Sequence, residues 1–307
     1  MRSAPEHLES VLQNVAALEP LEVGLLGSVG LVLAQDVTIA DGDEQILLLA
    51  KGTQIAARHV ALLAAAGLGQ VLVHPMPRVV VLTVGDDLSN PGSGDDRIPD
   101  INGVALTSAA TAAGAMTFRV GPLSSDEASL RSALEDQLVR ADVILTACGM
   151  SAADYELLTS VLHSIGRMEF VRVAMQPGGA QGFGFVGPDQ TPVFVLPGNP
   201  VGALLSFDVF VRPLIRRMMG QTSLHHRVVE ALLDGPIESS TDDTHYIRAQ
   251  ITSNVGTPRV RSLEDDESHP LAGLGTADAL IIVPSGMHKV AAGETVAVML
   301  LDPQANQ

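Results

Sequence analysis

Between residues 78 and 219, apolar runs of two kinds alternate, and this alternation constrains the fold more than any other feature of the chain. "RVVVLTVG" (78–85) is a continuous β-branched run, as expected of a strand covered on both faces. The Ala-rich "INGVALTSAATAAGA" reads as a helix and "MTFRVGPL" as a strand. The series continues with "SSDEASLRSALEDQLVRA", whose opening is a helix N-cap signature, then "DVILTACG", "SAADYELLTSVLHSIG" and "MEFVRVAM". "GFGFVG" and "TPVFVLPG" are further strands, and residues 201–219 form a helix that Pro213 should kink or restart. The pattern predicts an α/β domain over 77–222 built on a mostly parallel, doubly wound sheet.

The flanks differ in texture. Residues 5–17 carry a helical apolar stripe at Leu8, Val11, Leu12 and Val15. A short helix running into a strand, an acidic turn "DGD" (41–43), a strand, a helix ending near Gly67 and a last strand complete an α+β segment over 1–76. From His225 onward, strand-like runs separated by Gly, Asp, Ser and Pro read as a small all-β domain, 223–307. The charged stretch "SLEDDESHP" (262–270) reads as a solvated loop.

Charge narrows the partners. With 18 basic against 35 acidic residues, the formal charge is −17, which argues against nucleic acid and against a polybasic membrane contact. Lys51 and Lys289 are the only lysines, so catalytic lysine chemistry has few candidates. The single cysteine, Cys148, rules out an internal disulfide and a thiolate metal site within one chain. It reads as a core thiol, and His225-His226 as solvated. The start of the chain lacks a signal-peptide h-region, and no apolar run is long enough to span a membrane, so a cytoplasmic protein is expected.

In an open α/β sheet, ligands bind beyond the carboxyl ends of the strands. Three loops fall there: "VGDDLSNPGSGDDRIPDIN" (84–102), "TACGMSAADYE" (146–156) and "LPGNPVG" (196–202). Asp86, Asp87, Asp95, Asp96 and Asp100 crowd the first, and Asp154 lies in the second. Clustered carboxylates suit Mg²⁺. Small residues at a helix start, such as Gly149 and Ser151, suit a phosphate held by N–H and hydroxyl donors. Such stretches also make ordinary surface turns.

At these loops the chain resembles the molybdopterin molybdotransferases, the family of bacterial MoeA and the E domain of gephyrin. The resemblance is collinear, running through "MRSAPEHLESVL", "GTQIAARHVALLAAAG", "PRVVVLTVGDDL", "RIPDIN", "GMSAADYE", "VRVAMQPGG", "GFGF", "LPGNPVGALLSFDVFVRP" and "ADALIIVPSG". It implies a three-layer, MogA-like molybdopterin-binding domain, a C-terminal small β-barrel, and a homodimer with its active site in an intersubunit cleft. It also implies insertion of molybdate into adenylylated molybdopterin with Mg²⁺, the nucleotide being released. Carried over by motif, Asp86, Asp100 and Asp154 take catalytic roles, with Asp86 and Asp100 as metal ligands. Gly85, Asn102, Gly149, Ser151, Pro197, Gly198, Asn199 and Pro200 line the pterin-phosphate pocket.

The chain departs from the family pattern at several of these places. Val84 replaces a Thr, Asp87 a Glu, Ile101 a Ser, Cys148 a Gly and Gly202 a Ser, while Gln176 and Gly179 stand where many members have lysines. Between "VLAQDVTIA" and "EQILLLAKGTQI" the family inserts a whole domain opening with Ser-Ala-Met-Asp-Gly-Tyr-Ala, and this chain has only "DGD". Two readings follow from the resemblance. One is a molybdotransferase; the other is a catalytically degenerate, gephyrin-like scaffold. As a dimer, the scaffold would bind a partner protein, such as a cell-division protein, through its C-terminal domain or dimer cleft.

Overall fold

The computed structural model describes residues 1–41, 44–149, 151–240, 242–253, 256–264 and 271–301. Most of the "DGD" turn, Met150 and the charged run from residue 265 lie outside these residues.

The first helix, α1 (Ala4–Leu12), starts at a capping box. Ser3 Oγ accepts from the Glu6 N–H, and the Glu6 carboxylate accepts from the Ser3 N–H at 2.8 Å. The chain then forms β1 (Leu21–Gly24), β2 (Val32–Leu33), β3 (Val37–Asp41), β4 (Glu44–Leu49), α2 (Ala57–Ala65) and β5 (Gln70–His74). Strands β1, β5 and β2 make an antiparallel sheet, and β3 pairs with β4 alone. This module has its own core around Leu33, Ile55, Leu63 and Val73. Helix α1 does not join that core; Ala4 and Val11, with Val15 just beyond, pack among Phe210, Leu214 and Ile215 of the central domain.

The central elements are β6 (Arg78–Val84), β7 (Leu88–Ser89), β8 (Ile98–Pro99), α3 (Ile101–Ala112), β9 (Met116–Leu123), α4 (Glu127–Leu138), β10 (Val143–Cys148), α5 (Ala152–Ile165) and β11 (Gly166–Arg172). They continue with β12 (Met175–Gln176), β13 (Ala180–Val186), β14 (Thr191–Leu196), α6 (Pro200–Ser206) and α7 (Arg212–Met218). The sheet order is β11-β13-β14-β10-β6-β9. Its β14-β10-β6-β9 half is parallel, while β13 and β11 are antiparallel additions at one edge.

Alternate residues of β6 explain the three layers. Val79 and Val81 face the core shared with α1, α3, α6 and α7; Val80 and Leu82 face α4 and α5. The long terminal helix restarts around Pro213, as the sequence reading expects. A π-helical turn, Phe207–Val211, absorbs the irregularity, and Pro213 falls in the first turn of α7, where no N–H is needed.

The C-terminal domain consists of β15 (Val228–Leu233), β16 (Ile237–Glu238), β17 (Thr244–Ser253), β18 (Arg259–Ser262), β19 (Ala279–Val283), β20 (Lys289–Val290) and β21 (Thr295–Leu300). Strands β15, β18, β17, β19 and β21 pair in a ring that returns to β15, a closed five-strand barrel. It is tied to the central domain by β12, which pairs in parallel with Thr244–His245 of β17, and by an Arg172–Asp243 ion pair at 2.6 Å. The "MEFVRVAM" run therefore splits between two sheets. Among the described residues, no helix is long and apolar enough to cross a membrane.

Candidate functional site

Because β6, β10 and β14 are parallel neighbours, their carboxyl ends open on one edge of the sheet. The loops that follow enclose a cavity of about 670 Å³. Asp100, Asn102, Gly149, Ser151, Gly198, Asn199 and Pro200 all line it, so each of the three loops contributes. Asp86, Gly85, Asp154 and Pro197 do not appear in its wall.

The Pro-Gly-Asn-Pro turn is built for both punctuation and close approach. Asn199 caps α6, its Oδ1 accepting from the Val201 N–H at 2.9 Å, and Pro200 occupies the first helical turn. Gly198 has no substitute: a Cβ there would run into the Gly149 carbonyl of the neighbouring loop. Asn102 fastens the same two loops. Its Nδ2 donates to the Gly198 carbonyl at 2.7 Å and to the Cys148 carbonyl at 3.4 Å.

Asp100 caps α3 and is 1% exposed. Its Oδ1 accepts from the Gly103 N–H at 2.8 Å; its Oδ2 accepts from the Thr83 hydroxyl and from Arg119 Nη2, both at 2.7 Å. Asp86 and Asp154 belong to a different set. The Ser125 N–H donates to Asp86 Oδ1 at 3.1 Å, and the Ser125 hydroxyl donates to Asp154 Oδ1. Ser151 caps α5, accepting from the Asp154 N–H at 3.3 Å.

The expected metal pair, Asp86 and Asp100, is thus divided between two hydrogen-bond sets, and Asp100 already accepts from three donors. Among the described residues no group of three or more His, Cys, Asp and Glu side chains is placed to hold a metal ion. Asp100, buried and already holding three donors, does not offer Mg²⁺ the accessible oxygen it needs.

Electrostatically the cavity is unlike an open anion site. Among the described residues no Lys, Arg or His lines it, and Leu88, Ile98, Ile101, Val201 and Leu271 make most of its wall apolar. Cys148 lies in the wall but is 3% exposed, and burial, helped by the charge of Asp154, pushes its thiol up to about 12. It is a packed thiol and not a nucleophile. Gln176 and Gly179 face elsewhere, into a second cavity of about 470 Å³ beside Tyr155, Phe170 and Arg172.

Sequence reading missed Thr83, Arg119, Ser125 and Leu271. Thr83 and Arg119 carried a signal, each being a polar residue inside an otherwise largely apolar strand run. Ser125 and Leu271 carried none, since both act through neighbours remote in sequence.

Comparison with known proteins agrees with this architecture. Residues 80–217 match the family model of a probable molybdopterin binding domain, and residues 230–301 that of the MoeA C-terminal region (domain IV). Molybdopterin molybdenumtransferase 1 of Mycobacterium tuberculosis (strain ATCC 25618 / H37Rv) is 43% identical over 259 residues, covering 81% of this chain and 60% of the relative. Molybdopterin molybdenumtransferase 2 of the same strain is 36% identical over 247 residues, again covering 60% of the relative. The chain therefore spans about 60% of the length of these curated relatives. The crystal structure of a molybdopterin biosynthesis MoeA protein from Pyrococcus horikosii superposes with a TM-score of 0.83 at 19% identity, covering 98% of this chain and 99% of that one.

Proposed function

The chain belongs to the molybdopterin molybdenumtransferase family, and from that premise we propose that the strand-end cavity is its molybdopterin site and that the protein acts in molybdenum cofactor biosynthesis. The observation that carries this reading is the convergence of three loops, from β6, β10 and β14, on one cavity within the matched domain. The substrates would be adenylylated molybdopterin and molybdate, as in the complete reaction of the family.

The chain's own groups set the terms. A pterin phosphate would be held by backbone N–H groups around Gly149–Ser151 and Gly198–Asn199, with the Ser151 hydroxyl beside them, because the described residues of the wall include no cation. Each lost charge-assisted hydrogen bond costs about 1.5–3 kcal/mol. A wall that holds the phosphate with neutral donors alone binds it more weakly than one that carries a charged donor. No step is assigned to Mg²⁺, since Asp86 and Asp100 do not present a metal site.

A homodimer completes the proposal. Leu26, Val29, Ile46, Leu47 and Leu62 of the N-terminal module are all exposed large apolar side chains, and a second copy would cover them.

Calorimetry with molybdopterin and its adenylylated form tests the site. Saturable binding weakened by Ser151→Ala is expected, together with molybdate insertion far below that of a full-length relative. Absence of saturable heat with either pterin overturns the reading. It would leave a partner-binding scaffold, a role that a mostly apolar cavity also suits.

A further inference from the structure

We propose that Arg119 is the resident counter-ion of Asp100, filling the place where a divalent cation would otherwise neutralise this buried carboxylate. At 1% exposure, the Asp100 carboxylate cannot be left as an unpaired charge at the cavity wall. The fold offers two ways to compensate it: a bound cation from solution or a cation on the chain. The geometry supplies the second. Arg119, on the edge strand β9, reaches over β6 and places Nη2 2.7 Å from Asp100 Oδ2, with its side chain 24% exposed.

The neighbours are arranged around that pair. Thr83 on β6 donates to the same Oδ2, and the N–H of Gly103 takes Oδ1. Three donors on two oxygens leave one lone-pair site of the usual four, and burial closes it to solvent. Gly103 provides the room. A Cβ at that position would strike the Asp100 carboxylate and come within 2.7 Å of Arg119 Nε, so the guanidinium lies over the bare backbone of the first turn of α3. A guanidinium is always charged and presents planar donors, so it holds a carboxylate without demanding octahedral oxygen ligands.

A hydrated Mg²⁺ ion would have to displace this guanidinium, break the Thr83 bond and recruit further oxygens. The other acid of the expected pair, Asp86, is turned to Ser125. Arg119 is accordingly a positioning residue: it fixes Asp100, which caps α3, and α3 carries the Asn102 clamp on the loops after β10 and β14. This inference goes beyond the proposed reaction and does not depend on it, because its test needs neither pterin nor turnover.

The experiment is titration of the purified protein with Mg²⁺ by calorimetry, and with Mn²⁺ by loss of its free-ion paramagnetic signal. Wild type, Asp100→Asn, Arg119→Met and the double variant are compared, with folding checked by circular dichroism. Wild type and Asp100→Asn should behave alike, showing no Asp100-dependent site. Arg119→Met keeps the apolar stem but removes the charge, and it should gain a saturable millimolar site for both ions that the added Asp100→Asn change abolishes. Saturable binding by wild type that Asp100→Asn removes overturns the proposal. So does a folded Arg119→Met protein that gains no site. If Arg119→Met does not fold, Arg119→Gln replaces it. If neither folds, wild type against Asp100→Asn decides alone: equal behaviour upholds the proposal, and loss in the variant overturns it.

Discussion

Strands β10 and β4 are made of the same kind of residue and end in opposite environments. Every residue of β10 is buried, whereas in β4 Ile46 is 41% and Leu47 55% exposed. The difference lies in the neighbours. β10 has β6 on one side, β14 on the other and helices over both faces; among the described residues β4 pairs with β3 alone, and of its apolar residues Leu48 and Leu49, but not Ile46 and Leu47, pack on the N-terminal core. A two-stranded ribbon with apolar residues on its surface is marginal by itself. The central domain is therefore complete within one chain, and the hairpin is a surface still short of a cover. Three perturbations sharpen or break that contrast.

The largest effect belongs to the complete region. Leu145, in the middle of β10, is fully buried and packs in the core with Val81 and Phe194. Leu145→Ala should destabilise the protein by about 2–5 kcal/mol, through lost transfer energy plus the cavity left behind. That is a large fraction of the roughly 5–15 kcal/mol that holds a typical domain folded. Urea unfolding followed by circular dichroism measures it. A loss under about 1 kcal/mol would mean the sheet interior is looser than its burial implies, and the contrast with β4 would fail.

The second effect comes from the N-terminal segment, at the part that does join the central core. His7 on α1 is 2% exposed, lies edge-on to Phe210 with ring centroids 4.7 Å apart, and neither ring nitrogen has a partner among the described residues. Burial, aided by nearby Arg2 and opposed by Glu169, lowers its pKa from 6.5 to about 4. The unfolded chain protonates His7 near pH 6.5 and the folded chain only near pH 4, so between these values the unfolded state binds more protons. Stability thus falls as pH falls through that window, by about 3 kcal/mol in all, and this residue adds no further loss below it. Urea midpoints measured down the pH scale should drop less steeply in His7→Leu than in wild type. Equal slopes would mean His7 is hydrated or paired in solution.

How much of this was legible in the sequence depends on range. The strand and helix periods exposed the parallel sheet, and with it the three loops that meet at the cavity. The Pro-Gly-Asn-Pro turn was legible as a helix start, because capping is a matter of a few adjacent residues. What escaped was everything set by register across the sheet. Arg119 reaches Asp100 because β9 lies beside β6 with Val81 opposite Arg119, and no local pattern records that pairing. The expectation of a metal at Asp86 and Asp100 failed to fit for the same reason: spacing showed the acids but not the Thr83 and Ser125 donors that already engage them. The π-helical turn before Pro213 was also hidden, since no local pattern in the sequence announces it.

The smallest effect on folding should come from β4, and it is the most informative for the contrast. Leu47 is more than half exposed and has no layer over it, so Leu47→Ser should change the free energy of unfolding by no more than about 0.5 kcal/mol. Its effect should appear in association instead. If a second copy covers the hairpin, removing a large apolar side chain from that surface deprives the interface of buried area worth about 25 cal/mol per Å². The expected result is a monomer–dimer equilibrium displaced toward monomer in sedimentation velocity, at unchanged circular dichroism. Wild-type protein that sediments as a monomer at micromolar concentration would remove the second copy as the cover. A Leu47→Ser protein destabilised as severely as Leu145→Ala would show that the hairpin is integrated into the fold after all, and the two strands would then differ in exposure but not in the work they do.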